Sequence, residues 1–202
     1  MNYCNELTMS NQTKDYPGIL FLFVGNSGSG KDSIISGIAE QYPSDLKPPF
    51  IVKRYITRPP SEYEDNYSIS EKTFKQMEAQ GKFALKWHIY DLYYGIPRKI
   101  DDYLKKGHPV IANVSRTIID DAKKKYKNCK VIFVKVPFET TVKRVKERGR
   151  ENGKNLEKRI ERARTHQTFP KADFIVDNSG DLSEAVSQTL EYITRMVKFS
   201  NN

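Results

Sequence analysis

Residues 18–24 read Gly-Ile-Leu-Phe-Leu-Phe-Val, apolar at every position after the glycine. A short run without polar alternation predicts a strand covered on both faces, as in a parallel sheet. A glycine-rich turn follows, and the pattern then predicts a helix over 31–41 and a second strand over 50–54. From 55 to 94 the character changes to a stretch rich in Tyr, Pro and charge, with one helix near 71–80. After Pro97 the alternation resumes, with helices over 98–106, 117–126, 138–148 and up to 167, and a last one over 182–197. Strands are predicted between them at 109–114, 130–136 and 173–176, and a polar break falls at 149–155. Strands and helices in this order imply an α/β fold, a parallel sheet with helices on both faces. The divergent stretch becomes a lobe inserted into it. The expected organisation is a flexible tail over 1–16 and a single domain over 17–202, with core 17–54 and 97–202 and lobe 55–96.

Composition narrows the class. With 202 residues and 38% hydrophobic content, the chain is long enough for one domain with its own core. No apolar run approaches the roughly 20 residues of a membrane span. The polar start, Met1 to Tyr16, lacks the apolar segment of a signal peptide. Cys4 and Cys129 have no metal-binding spacing and are expected as free thiols in a reducing cytoplasm. The net charge of +9 suits a nucleic acid, an anionic membrane or a heavily phosphorylated small molecule. No nucleic-acid reading motif accompanies that charge, so neither nucleic acid nor membrane is the expected partner.

The sharpest motif is Gly25, Asn26, Ser27, Gly28, Ser29, Gly30, Lys31, Asp32 and Ser33. It contains G-x-x-x-x-G-K between a predicted strand and a predicted helix, the context of a phosphate-binding P-loop. Its glycines let backbone N–H groups close around phosphate oxygens at a helix N-terminus, and Lys31 reaches the β- and γ-phosphates. The position after the lysine is usually Ser or Thr, a Mg²⁺ ligand. Here Asp32 stands there, followed by Ser33, and either or both can hold the metal. The loop marks a nucleoside triphosphate site, with ATP and Mg²⁺ expected. It does not separate kinases from GTPases, motors or ATPases.

The lobe adds Arg54 and Arg58 in Lys-Arg-Tyr-Ile-Thr-Arg-Pro-Pro, then Tyr67, Trp87, His88 and Tyr94. Arginine forks and tyrosine hydroxyls suit phosphate capture. Tyrosines packing a small core and solvated arginines are the alternative. With the strand, P-loop, Thr-Arg-x-Pro, Tyr-Tyr-Gly and Arg-Gly segments in this order, the chain resembles the guanylate kinase family of P-loop NTPases from about Ile19 onward. The resemblance implies acceptor-phosphate contacts at Arg58, Tyr67 and Tyr94, with Arg54 compensating for Ser61 where that family carries a second arginine. It also implies a mobile lid at about 149–158 whose Arg148 and Arg159 reach the transferring phosphoryl group, and an adenine side near Asp177 and Asn178. Base-reading carboxylates are replaced by Leu85, Asn113 and Ser115, and Arg116 arrives.

The segments 25–33, 54–58, 87–95, 113–116 and 148–152 together resemble the ribose 1,5-bisphosphate phosphokinases of phosphonate catabolism. That resemblance implies transfer from ATP to ribose 1,5-bisphosphate, giving 5-phosphoribosyl 1-diphosphate. Substrate contacts are then expected at Arg54, Arg58, Tyr67, His88, Tyr94, Asn113 and Arg116, in a cytoplasmic monomer or homodimer. The rival readings are a nucleoside monophosphate kinase and a catalytically silent binding module.

Overall fold

The apolar run is buried from end to end as β1 (Leu20–Gly25). Its odd and even positions face two different cores. Leu20, Leu22 and Val24 join one cluster, Phe21 and Phe23 the other. This computed structural model describes residues 13–60, 65–147, 149 and 153–200.

After β1 come α1 (Lys31–Gln41) and β2 (Phe50–Ile51), then the lobe: β3 (Tyr55–Ile56), β4 (Tyr67–Ser68), α2 (Glu71–Ala79), β5 (Phe83–Ile89) and β6 (Leu92–Pro97). The core resumes with α3 (Ile100–Lys105), β7 (Val110–Asn113), a 3₁₀ turn at Arg116–Ile118 and α4 (Ile119–Lys125). It ends with β8 (Cys129–Lys135), α5 (Phe138–Glu147), α6 (Lys154–Thr165), β9 (Phe174–Asp177) and α7 (Leu182–Ser200).

The core sheet is parallel in the order β2-β7-β1-β8-β9. Ile34, Ile35 and Ile38 of α1 meet Val186, Ile193 and Val197 of α7 over one face. Ile100 and Leu104 of α3, with Ile119 and Ala122 of α4, cover the other. Both layers therefore exclude water from β1, which is why that strand carries no polar residue before its terminal glycine. The expected strand at 50–54 is shorter, because the chain leaves the sheet after the Val52 N–H donates to Ile111 (2.9 Å) and turns Arg54 toward the cleft.

The lobe contains more than its helix. Its four strands form a second sheet in the order β4-β3-β6-β5, antiparallel except where β3 meets β4. The Ser70 hydroxyl caps α2 by accepting from the Thr73 N–H at 3.1 Å. Phe74 of that helix stacks on Phe83 of the sheet, with ring centres 4.5 Å apart.

The expected tail is attached to the body over its last residues. Lys14 and Tyr126 form a short parallel bridge, and the Lys14 ammonium pairs with the buried Asp101 carboxylate. Tyr126 donates its hydroxyl to the same carboxylate at 2.7 Å. Burial, then Asp101, pushes that phenol above its usual pKa, so it stays a donor. Cys129 is buried and unbridged. Its surroundings push the thiol up to about 12, which keeps it protonated and unreactive.

Candidate active site

The P-loop sits where β1 gives way to α1, and both of its special glycines have left-handed backbone, Gly28 at φ 76° and Gly30 at φ 86°. At Gly30 the side-chain space is also taken. A Cβ there would lie 2.2 Å from Nδ2 of Asn178, which donates to the Ser29 carbonyl at 2.8 Å. Gly30→Ala should therefore lower the unfolding free energy by about 1–3 kcal/mol from backbone strain and weaken ATP binding. Urea unfolding with and without nucleotide reads both effects.

Lys31 folds back over the loop. Its ammonium donates to the carbonyls of Gly25 (3.2 Å) and Asn26 (2.9 Å) and to the Ser29 hydroxyl (3.2 Å). That holds the charge at the mouth of the loop.

Around the loop opens a cleft of about 370 Å³. Lys31, Arg54, Arg58, Arg116, Arg159 and Arg162 line it, against a single carboxylate, Asp32, among the described residues. A wall with that imbalance selects polyanions. Asp32 is held by Asn113, whose Nδ2 donates to Oδ1 at 2.7 Å. Arg54 lies 3.9 Å from the same oxygen. The buried Arg54 also donates to the Asn113 carbonyl (3.1 Å) and to Asn66 (3.2 Å). Asp32, Arg54 and Asn113 thus form one interlocked group joining α1, the entrance to the lobe and the end of β7. Ser33 lines the same cleft.

The far wall comes from α6. Arg159 donates to the Ser27 hydroxyl at 2.6 Å and lies over the Tyr90 ring, 4.6 Å from its centre. It bridges P-loop, α6 and lobe. Asn26 donates to the carbonyls of Ala163 (3.4 Å) and His166 (3.1 Å) at the end of α6. Arg116 donates to Asn26 Oδ1 (3.2 Å) and His166 O (3.0 Å), with Phe133 and Phe169 against its guanidinium. Burial, then the neighbouring Arg162, lowers Arg116 to about 10, so it remains a cation at neutral pH. Two of its nitrogens are committed to protein, so Arg116 ties α6 to the P-loop rather than reaching freely for a ligand.

Two residues expected to touch substrate stand elsewhere. In β5 successive side chains alternate between faces, so Trp87 is buried and lines the cleft while His88 is exposed and packs on Tyr93. Tyr67 is 45% exposed on the lobe's outer side, its ring against Tyr55 and under the Lys53 ammonium. Neither lines the cleft. Arg58, Tyr94 and Asn113 do. Arg148 lies outside the described residues, as do 150–152 of the expected lid.

Tyr90 and Arg144 were not expected at the site, and Trp87 and Arg162 were not expected to touch substrate. Trp87 was accessible from the apolar alternation Leu85, Trp87, Ile89. Tyr90 was not, because it sits in a turn made of two non-glycine residues with positive φ, Tyr90 and Asp91. Arg144 of α5 lines a neighbouring pocket of about 240 Å³ with Asn178, Gly180 and Leu182. The expected adenine side falls there.

Comparison with known proteins gives a consistent picture. The guanylate kinase family model matches residues 19–196. Ribose 1,5-bisphosphate phosphokinase PhnN of Rhodopseudomonas palustris is 36% identical over 179 residues, covering 88% of this chain and 89% of that protein. The protein of the same name from Enterobacter lignolyticus is also 36% identical over 179 residues, with 87% and 92% covered. The crystal structure of guanylate kinase from Anaplasma phagocytophilum superposes with a TM-score of 0.63 at 14% identity, covering 91% and 88% of the two chains.

Proposed function

The chain belongs to the guanylate kinase family and, within it, to the ribose 1,5-bisphosphate phosphokinases, and from that premise we propose that its cleft moves the γ-phosphoryl group of ATP onto ribose 1,5-bisphosphate, releasing ADP and 5-phosphoribosyl 1-diphosphate. The observation that carries this reading is the lining of the cleft. It has cations for phosphates on every side, and neutral Asn113 and Ser115 stand where a guanine-reading kinase has carboxylates. Guanine presents N–H donors that pair most strongly with carboxylates, and a site that offers neutral oxygens at those positions forfeits part of that affinity.

The acceptor atom is an oxygen of the sugar's 1-phosphate. It forms the new O–P bond as the bond between the γ-phosphorus and the β,γ-bridging oxygen breaks. That oxygen is already ionised near neutral pH, so no general base has to take a proton. The exposed position of His88 fits such a reaction. Catalysis then rests on alignment and positive charge around the transferring group. Lys31 holds the β- and γ-phosphates, Arg159 reaches the phosphoryl group from α6, and Arg54, Arg58 and Tyr94 hold the acceptor. Asp32 and Ser33 suit Mg²⁺. Asn113 engages one oxygen of the carboxylate, and hard oxygen donors on the wall of a phosphate cleft are what this cation takes. When bound with ATP, the ion supplies charge neutralisation at the phosphates.

The test is ADP release from ATP–Mg²⁺ with ribose 1,5-bisphosphate, GMP, AMP or no acceptor. Turnover confined to the sugar bisphosphate is expected, and equal turnover with GMP would overturn the assignment. Arg58→Ala should raise the KM for the acceptor about tenfold or more, the loss of one charge-assisted hydrogen bond, and change the KM for ATP far less. Equal loss of both would move Arg58 out of the acceptor site.

A further inference from the structure

The inner face of the lobe is already occupied by a flat bicyclic ring. Trp87 of β5 stands directly across from Tyr94 of β6. Their rings lie 5.1 Å apart and 4° from parallel, and both side chains line the cleft while being almost wholly buried. Leu85 is buried two positions earlier in β5 and joins them in one apolar cluster with Val114 and Ile118 of the core. The lobe sheet and the segment that follows β7 thus share one apolar cluster that includes the indole.

Indole and purine share the same fused five- and six-membered outline. A base entering this lobe would seek a flat aromatic face to stack on, and Tyr94 is such a face beside the phosphate-binding arginines. Trp87 already covers it. On the polar side of the slot, one oxygen of its single described carboxylate is already engaged. Asp32, the one carboxylate among the described lining residues, takes the Asn113 amide and lies beside Arg54.

We propose that Trp87 is a specificity-determining residue whose indole fills the room a nucleobase would need, so that the acceptor site admits sugar phosphates without a base and turns nucleotides away. The inference rests on the sugar-bisphosphate reading above and adds the physical element that excludes the other acceptor class. It assigns Trp87 no part in the transfer itself. The residue acts by volume.

The experiment compares the wild type with Trp87→Ala and Trp87→Leu, the second keeping apolar volume while vacating the ring. Folding is checked by circular dichroism, and ADP release is measured with ribose 1,5-bisphosphate, AMP and GMP. In the folded variants, release with at least one purine monophosphate should rise about tenfold or more above wild type, the scale of opening a steric pocket. Turnover of the sugar bisphosphate should persist. Folded variants that turn over the sugar bisphosphate but gain nothing with AMP or GMP would overturn the proposal and leave the functional reading standing. A wild type that uses GMP as well as the sugar bisphosphate would overturn both. Trp87 is also the only tryptophan in the chain, so its emission reports on the slot in the unmodified protein. A purine monophosphate that alters this emission and competes with the sugar bisphosphate would show the slot open and the proposal wrong.

Discussion

Lys31→Ala should lower kcat by about three orders of magnitude, the scale of removing a preorganised charge from a developing oxyanion, with the unfolding midpoint nearly unchanged. The two halves of this expectation have separate causes. In the free protein the ammonium caps the carbonyls of Gly25 and Asn26 and the Ser29 hydroxyl at the edge of the loop. Its site is only part-buried, so water can replace those bonds at small cost. No other lysine lines the cleft among the described residues, and the arginines approach from the opposite walls. Among the described residues no second ammonium is placed to replace it there. Lys31→Arg is the informative companion. A guanidinium is longer and planar and should restore little activity. Steady-state kinetics beside thermal unfolding measures both halves, and activity near wild type in Lys31→Ala would remove the P-loop from the mechanism.

Arg159→Ala is expected to cost about three orders of magnitude in kcat, the lower end of the range for an arginine that meets a transferring phosphoryl group, and little in the KM for either substrate. Arg159 is held from two sides, by the Ser27 hydroxyl and by the face of Tyr90. A long side chain fixed at both flanks loses little further entropy when the phosphoryl group arrives. Tyr90→Phe keeps the aromatic face and should stay active. A Tyr90→Leu variant should fall partway toward Arg159→Ala. A purely structural role for Arg159 would appear instead as a lowered unfolding midpoint with kcat preserved in the folded fraction.

How much of this was legible in the sequence depended on how far apart the interacting residues lie. The boundary at Lys31 was readable because Gly30 and the lysine punctuate it, and α1 spans the expected residues. The core strands were readable because continuous apolar runs mark burial on both faces. The lobe sheet was not. β3 and β4 are two residues each, too short for any period to show. His88 stands in the same family motif as Trp87, but a strand sends neighbours to opposite faces, and that separates it from the cleft. The packing of Tyr67 on Tyr55, away from the cleft lining, was not legible either, because a tyrosine that packs on another tyrosine looks, in sequence, like one that binds phosphate. Arg116 lines the cleft as expected, but its occupation by Asn26, His166, Phe133 and Phe169 joins parts of the chain up to 90 residues apart. No local pattern encodes such a contact.

The tie made by Asn26 and Arg116 to the last turn of α6 also fixes the mechanics of that helix. Anchored there, it would move as a lever about its His166 end once Arg159 let go of Ser27. Its twelve residues give an arm of about 18 Å at 1.5 Å per residue. A swing of about 10° about that end carries the Gly153 tip about 3 Å, yet displaces Arg159, roughly halfway along, by under about 2 Å. Such a swing would widen the entrance for a small polyanion while Arg159 moved less than the tip and stayed within a short reach of the P-loop.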